Sequence, residues 1–183
     1  MPRLLQLQPY CSQQPLSTIP RSTPAANYAA ILPLPCCRLG ISADAAMHLS
    51  ALTFLAPDTP LMAATGAHVD LVKSVEQALM HWLTNPAYQF EFALAPQGTP
   101  FQRRTWQAIA SIPFGEIRTY GELSREAGGT PRAIGQACGA NPFPIIVPCH
   151  RVVAKTGLGG FANASDGWLL ETKRWLLRHE GVL

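Results

Sequence analysis

Charge is scarce in this sequence. Asp, Glu, Lys and Arg make up only 14% of it, against 48% hydrophobic residues. That balance lets most of a 183-residue chain fold around a substantial core. Long apolar runs are missing too. None approaches the roughly eighteen residues that a membrane-spanning helix needs, so no membrane association is expected. The first 25 residues are rich in Gln, Ser and Pro. They lack a basic segment followed by an apolar run, so they do not read as a secretory signal and are expected to form a mobile tail. Regular cysteine spacing is also absent. The five cysteines, Cys11, Cys36, Cys37, Cys138 and Cys149, form no disulfide framework, and with no export signal they point to a reducing cytoplasm. Cys11, Cys36, Cys37, His48, His68 and His81 show no paired-ligand spacing, so neither a metal nor another cofactor is expected.

The charge that exists is uneven. Residues 99–183 carry ten Lys/Arg against six Asp/Glu, whereas residues 1–98 carry four against five. A basic C-terminal half fits a polyanionic partner such as DNA. The hydrophobic pattern divides the chain at the same place. Tyr28–Leu34, Met47–Leu55 and Tyr88–Leu94 alternate as three antiparallel strands. Between them, Val69, Val72, Val75, Leu79, Trp82 and Leu83 share one face of a helix over 69–84 that stops at Asn85-Pro86. Residues 26–95 are therefore expected to form a small α/β domain, and residues 96–183 a helical one. In the latter, Thr99-Pro100 opens a helix running to about Ile112 with Phe101, Trp106, Ile109 and Ala110 inward. Tyr120–Ala127 and a helix opened by Thr130-Pro131, running to about Ala140, flank Gly128-Gly129 in a helix-turn-helix pattern. A last helix spans about Gly167–His179.

Chemistry concentrates in Val147-Pro-Cys-His-Arg-Val-Val153. A thiol flanked by His150 and Arg151 is expected to have a lowered pKa, and the thiolate is the nucleophile. Adjacent side chains of an extended segment diverge, so His150 is expected to reach the Cys149 proton through a water. A base of this kind needs a third group to fix its tautomer, and Asp166, Glu171 and Glu180 are the downstream candidates. Such a pair also suits a cysteine hydrolase. The second helix of the helix-turn-helix offers a complementary feature. Arg132, Ala133, Gln136 and Ala140 face outward, and Gly135 and Gly139 thin that surface. This leaves one long cation on a smooth face that can approach a nucleic-acid backbone.

The segment from Arg132 to Val153, with its Asn141-Pro-Phe-Pro and Pro148-Cys-His-Arg-Val, closely resembles the active-site block of the O6-alkylguanine-DNA alkyltransferases, also called methylated-DNA–protein-cysteine methyltransferases. The resemblance extends through Gly98–Gln102, Ile112–Gly115, Thr119-Tyr120 and Trp175–Gly181, covers residues 88–183 well, and matches residues 1–87 in outline. It implies an α+β fold: a ribonuclease H-like domain of three antiparallel strands and a helix, then an all-helical, winged-helix-like module. It also implies single-turnover removal of alkyl groups from O6 of guanine, and from O4 of thymine, in double-stranded DNA after base flipping. The acceptor would be Cys149, with His150 as base, Glu180 holding His150, and Asn141 bracing the turn before the cysteine. Arg132 would fill the gap left by the base and Tyr120 would crowd the target phosphate and help protonate the leaving guanine. Ala133, Gly135, Gln136 and Arg151 would complete the DNA face. The Val152 backbone, Phe161, Ala162 and Asn163 would line the base pocket, with Phe161 standing where many relatives have Tyr and Asn163 where several have Gly. A monomer is expected.

Overall fold

The structure, a computed structural model, describes residues 28–183. The expected tail, with Cys11, lies outside the described residues. Strands β1 (Ala30–Pro33), β2 (Arg38–Ala43) and β3 (Leu49–Leu55) form an antiparallel sheet in sequential order. Ala30, Leu39, Ile41, Leu49, Leu52 and Phe54 turn inward from it. β2 carries no strand signal in the sequence because Gly40 interrupts it. The glycine is there for space: a Cβ at position 40 would lie 2.6 Å from the Tyr28 ring. The expected strand over Tyr88–Leu94 does not form. Among the described residues its one backbone bridge to the sheet is a parallel one between Leu49 and Leu94. Its aromatics instead stack along one another and on α1 (Val69–Thr84), with Trp82–Phe90 and Tyr88–Phe90 centroids 6.4 and 5.4 Å apart. Alternation there serves side-chain packing, not backbone pairing.

Helix α1 buries Val72, Val75, Ala78, Leu79 and Trp82, a stripe at helical spacing. The C-terminal half comprises α2 (Pro100–Ala110), α3 (Tyr120–Ala127), α4 (Pro131–Gly139) and α5 (Gly167–His179). Their starts are written locally. Thr99 with Gln102 and Thr119 with Glu122 form reciprocal capping boxes, and the Thr130 hydroxyl accepts from Ala133 N. In α2, Ile109 is buried and Phe101 and Trp106 pack half-buried against the core as expected, whereas Ala110 is exposed and Thr105 and Ala108 turn inward. Between α3 and α4, Gly129 sits at φ 88° with its missing Cβ only 3.0 Å from the Phe101 ring, so the turn is locked onto α2.

This half is not all-helical. β4 (Arg118–Thr119) pairs in parallel with β5 (Val152–Val153), which ties the start of α3 to the segment that follows the cysteine. The two halves share one core. Phe54 meets Phe161 at 5.4 Å between centroids, Leu52 N donates to Pro142 O at 2.8 Å, and Trp82 packs edge-on against Trp175 and His179. Truncating Trp82 to Ala removes the residue common to α1, the aromatic segment and α5. The expected loss is about 3–5 kcal/mol of unfolding free energy, read from urea titration of the full chain.

Candidate active site

After α4 the chain must turn sharply, and Asn141 organises the turn. Its Oδ1 accepts from Phe143 N at 3.0 Å, and its Nδ2 donates to Val147 O at 2.8 Å and to Cys149 Sγ at 3.4 Å. Ile145 takes a positive φ of 75° within the same loop. The chain then enters a 3₁₀ turn over Cys149–Arg151 in place of the extended segment expected, so the three side chains fan out around a single turn. Cys149 faces a cavity of about 400 Å³. Tyr120, Arg132, Gly135, Gln136, Cys138 and Gly139 border it on one side, and Phe161, Ala162 and Asn163 on the other. Ala133 lies half-buried on the same helix, outside that lining.

His150 points into the interior. Its Nε2 donates to Glu180 Oε1 at 2.8 Å, which selects Glu180 over Asp166 and Glu171 as its partner. Glu180 also accepts from Arg151 Nε and Nη2, both at 2.9 Å. Burial raises the pKa of the Glu180 carboxyl, but hydrogen bonds from His150 and Arg151 outweigh it and hold the group at about 2. An ionised carboxylate only accepts, so the imidazole proton sits on Nε2. Nδ1 is left bare, buried and without a protein partner among the described residues. That nitrogen is the one available as a base.

The thiol itself departs from expectation. Burial pushes the Cys149 pKa up, opposed by the Asn141 amide and the Lys173 ammonium, so the neighbouring His and Arg do not lower it. Burial likewise depresses His150, against the pull of Glu180. Both groups therefore rest neutral. Two other expectations are corrected. Arg151 does not present its guanidinium to a partner outside the fold as expected: it is committed to Glu180 and to Ile112 O at 2.6 Å. Val152 does not line the cavity: it is fully buried and its carbonyl is taken by Lys173.

Lys173 is the site residue that sequence reasoning missed. It is completely buried, and Nζ donates to Val152 O, Leu158 O and Gly160 O at 2.6, 2.6 and 3.0 Å. Burial draws its pKa down to about 8, opposed by Cys149 and Cys138. The signal was present: Lys173 stands four residues after Leu169 and three before Leu176, where the inward stripe of α5 calls for an apolar residue. Tyr120 Oη shares the Gly160 carbonyl at 3.1 Å, and burial raises its phenol pKa. Arg132 stands exposed in the first turn of α4.

Fold and site together define a class: a helix-turn-helix module, docked on a small sheet, with a cysteine at the wall of a cavity beside its second helix. Residues 100–182 match the family model for the DNA-binding domain of 6-O-methylguanine DNA methyltransferase. The chain belongs to the methylated-DNA–protein-cysteine methyltransferase family. It is 50% identical over 92 residues to the Salmonella typhimurium methylated-DNA–protein-cysteine methyltransferase, covering 49% of this chain and 51% of that protein. It thus spans about half the length of that relative. With the Methanosarcina acetivorans protein of the same name it shares 39% identity over 115 residues, 61% of this chain and 70% of the relative. The crystal structure of Mycobacterium tuberculosis O6-methylguanine methyltransferase superposes with a TM-score of 0.64 at 30% identity, covering 82% of this chain and 90% of that one.

Because the folded-state pKa of Glu180 is depressed, its contribution to stability is fully present above the unfolded value of 4.5 and is lost as pH falls towards about 2. Glu180→Gln is therefore expected to flatten the pH dependence of unfolding free energy between those limits, measured by denaturant titration at stepped pH.

Proposed function

We propose that this protein reverses DNA alkylation directly, transferring a methyl or other alkyl group from O6 of guanine, and from O4 of thymine, to Cys149 in a single turnover. The observation that carries the reading is the Cys149 thiol at the wall of a cavity bordered by the second helix of a helix-turn-helix, followed in the same turn by an imidazole whose Nδ1 is bare and whose Nε2 is held by a buried carboxylate. The family supports the same chemistry, and one similar structure is of the Mycobacterium tuberculosis protein in complex with DNA, with a TM-score of 0.65 and 30% identity.

The substrate in this reading is double-stranded DNA, bound by a monomer mainly through its backbone. The small residues of α4 allow close approach, and Arg132 enters the stack as the damaged base rotates out. Extrusion costs a few kcal/mol, less for a base that pairs badly. In the cavity, the proton of the neutral Cys149 thiol passes through a bridging water to His150 Nδ1, and Glu180 stabilises the resulting imidazolium. The sulfur attacks the alkyl carbon as the carbon–oxygen bond breaks. The electron pair leaves with guanine, which takes a proton delivered through Tyr120. Asn141 and Lys173 stabilise the negative sulfur in this step. The product is a thioether, which has no electrophilic carbonyl and resists water, so the protein is consumed. Free thiols at Cys36, Cys37, Cys138 and Cys149 suit a reducing compartment such as the cytoplasm. The sheet half reads as ribonuclease H-like and the helical half as winged-helix-like, in keeping with that assignment.

Two experiments test this. Mixing the protein with an oligonucleotide containing O6-methylguanine is expected to add one methyl group, seen by intact mass and mapped to Cys149. Cys149→Ser is expected to retain DNA binding and abolish the shift, and transfer surviving in that variant would refute the assignment. Arg132→Ala is expected to slow repair of duplex DNA roughly tenfold or more while reaction with the free alkylated base falls far less, since only the duplex requires extrusion. Equal losses on both substrates would remove Arg132 from that role.

A further inference from the structure

Two thiols outside the active site stand side by side. The turn that joins β1 to β2 runs Pro33-Leu-Pro-Cys-Cys-Arg38, and Leu34 N donates to Cys37 O at 3.0 Å to close it. Neighbouring side chains of an extended strand diverge, but this turn brings the sulfurs of Cys36 and Cys37 to 3.9 Å from each other. Thr172 of α5 hydrogen-bonds with both thiols, which fixes the pair against that helix. Cys37 is buried and Cys36 half-buried, so a reagent meets Cys36 first. The hydrogen bond between the two lowers the pKa of Cys36 and raises that of Cys37, so the outer sulfur is also the readier nucleophile.

A direct sulfur–sulfur bond needs a separation of about 2.05 Å, and the single planar peptide between adjacent residues resists that closure. One bridging atom suits the spacing better. Two bonds of about 2.3 Å at a tetrahedral angle put their sulfurs about 3.8 Å apart. Zinc has such bonds but takes four ligands, and the described residues hold no group of three or more His, Cys, Asp or Glu that could bind a metal ion. Arg38 follows directly, its Nε buried and without a partner among the described residues, and its positive charge acts on Cys37. A fixed cation there opposes a second one. Trivalent arsenic escapes both objections. It is soft and thiophilic, it takes three ligands and brings one of its own, and its product with two thiols is neutral.

We propose that Cys36 and Cys37 form a chelating site for trivalent arsenicals, separate from the acceptor thiol and independent of the alkyl-transfer reading. Cys36 attacks the arsenic of a hydrated arsenical, R–As(OH)₂, and Cys37 then closes the ring. Two arsenic–sulfur bonds form and two arsenic–oxygen bonds break. Each thiol proton leaves with a hydroxyl as water, so nothing is oxidised or reduced. The second bond forms within one molecule, where the effective concentration of the Cys37 thiol is far above that of any free monothiol. A neutral adduct also suits a half-buried position, since no charge is left there without water.

The test is titration of the full chain, reduced with a phosphine, with phenylarsine oxide, followed by intact mass. One phenylarsenic group is expected to bind, to survive an excess of monothiol and to be released by a dithiol. Trypsin separates the candidate pairs, since residues 22–38 carry Cys36 and Cys37 while residues 133–151 carry Cys138 and Cys149. The adduct is expected on 22–38. Cys36→Ser alters a half-buried turn position, and Cys37→Ala removes the inner sulfur. Each leaves a single thiol and is expected to weaken binding roughly hundredfold or more, the scale of a lost chelate. An adduct on 133–151, undiminished affinity in Cys36→Ser, or no monothiol-resistant adduct on the parent chain would overturn the site. Methyl transfer to Cys149 is read separately and does not depend on the outcome.

Discussion

One buried carboxylate organises the reactive end of this protein. Glu180 sits at the C-terminal cap of α5, where the helix dipole disfavours an anion. It is nonetheless ionised, because the Arg151 guanidinium grips it along one edge and the His150 imidazole donates from another. Carboxylate and guanidinium cancel in charge, so the resting cluster is neutral and burial is tolerable. Without Arg151, a lone buried anion would tend to recover its proton. It could then no longer hold the imidazole in the tautomer that leaves Nδ1 bare. The two residues that follow the cysteine in sequence thus act through a third that folding brings to them from the far end of the chain.

The same neutrality resolves an apparent conflict at Cys149. A nucleophilic thiol is expected to be acidic, yet burial raises this one. A buried thiol beside a buried neutral base needs no standing charge. In the proposed transfer the thiol gives up its proton only when the electrophile arrives, and Asn141 and Lys173 then favour the anionic sulfur. Lys173 serves twice. Its ammonium lies among the groups that favour the charged sulfur, and its three hydrogen bonds pin the carbonyls of Val152, Leu158 and Gly160 that shape the cavity wall.

Much of this was legible in the residues. The helices are written by their caps and by apolar spacing: α1 and α5 begin and end where the pattern says, and Thr99 and Thr130, each followed by Pro, announce α2 and α4. The sheet was less legible. β2 hides behind Gly40, whose purpose is the ring of Tyr28 lying over it, and this contact is invisible along the chain. Tyr88–Leu94 shows the opposite failure. Its alternation is real, but its partners are Trp82 and neighbouring rings, and only Leu94 bridges to the sheet. Arg151 was misread for a similar reason. An arginine beside a proposed DNA face is more often exposed than buried, and only the position of Glu180 turns it inward.

By itself, the sequence determined the local chemistry: a proline-fixed cysteine followed by His and Arg, an Asn-Pro turn before it, and a smooth helix headed by one cation. These are properties of neighbouring residues, and short-range sterics and capping suffice to express them. The tertiary structure alone decided which of three acids meets His150, which imidazole nitrogen stays free, that Arg151 faces the interior, and that Asn163 reaches Gly139. Each of those is a contact between residues 24 to 30 positions apart. Such contacts depend on how α4, α5 and the loops between them settle on a common core, a packing outcome that no short stretch of sequence encodes.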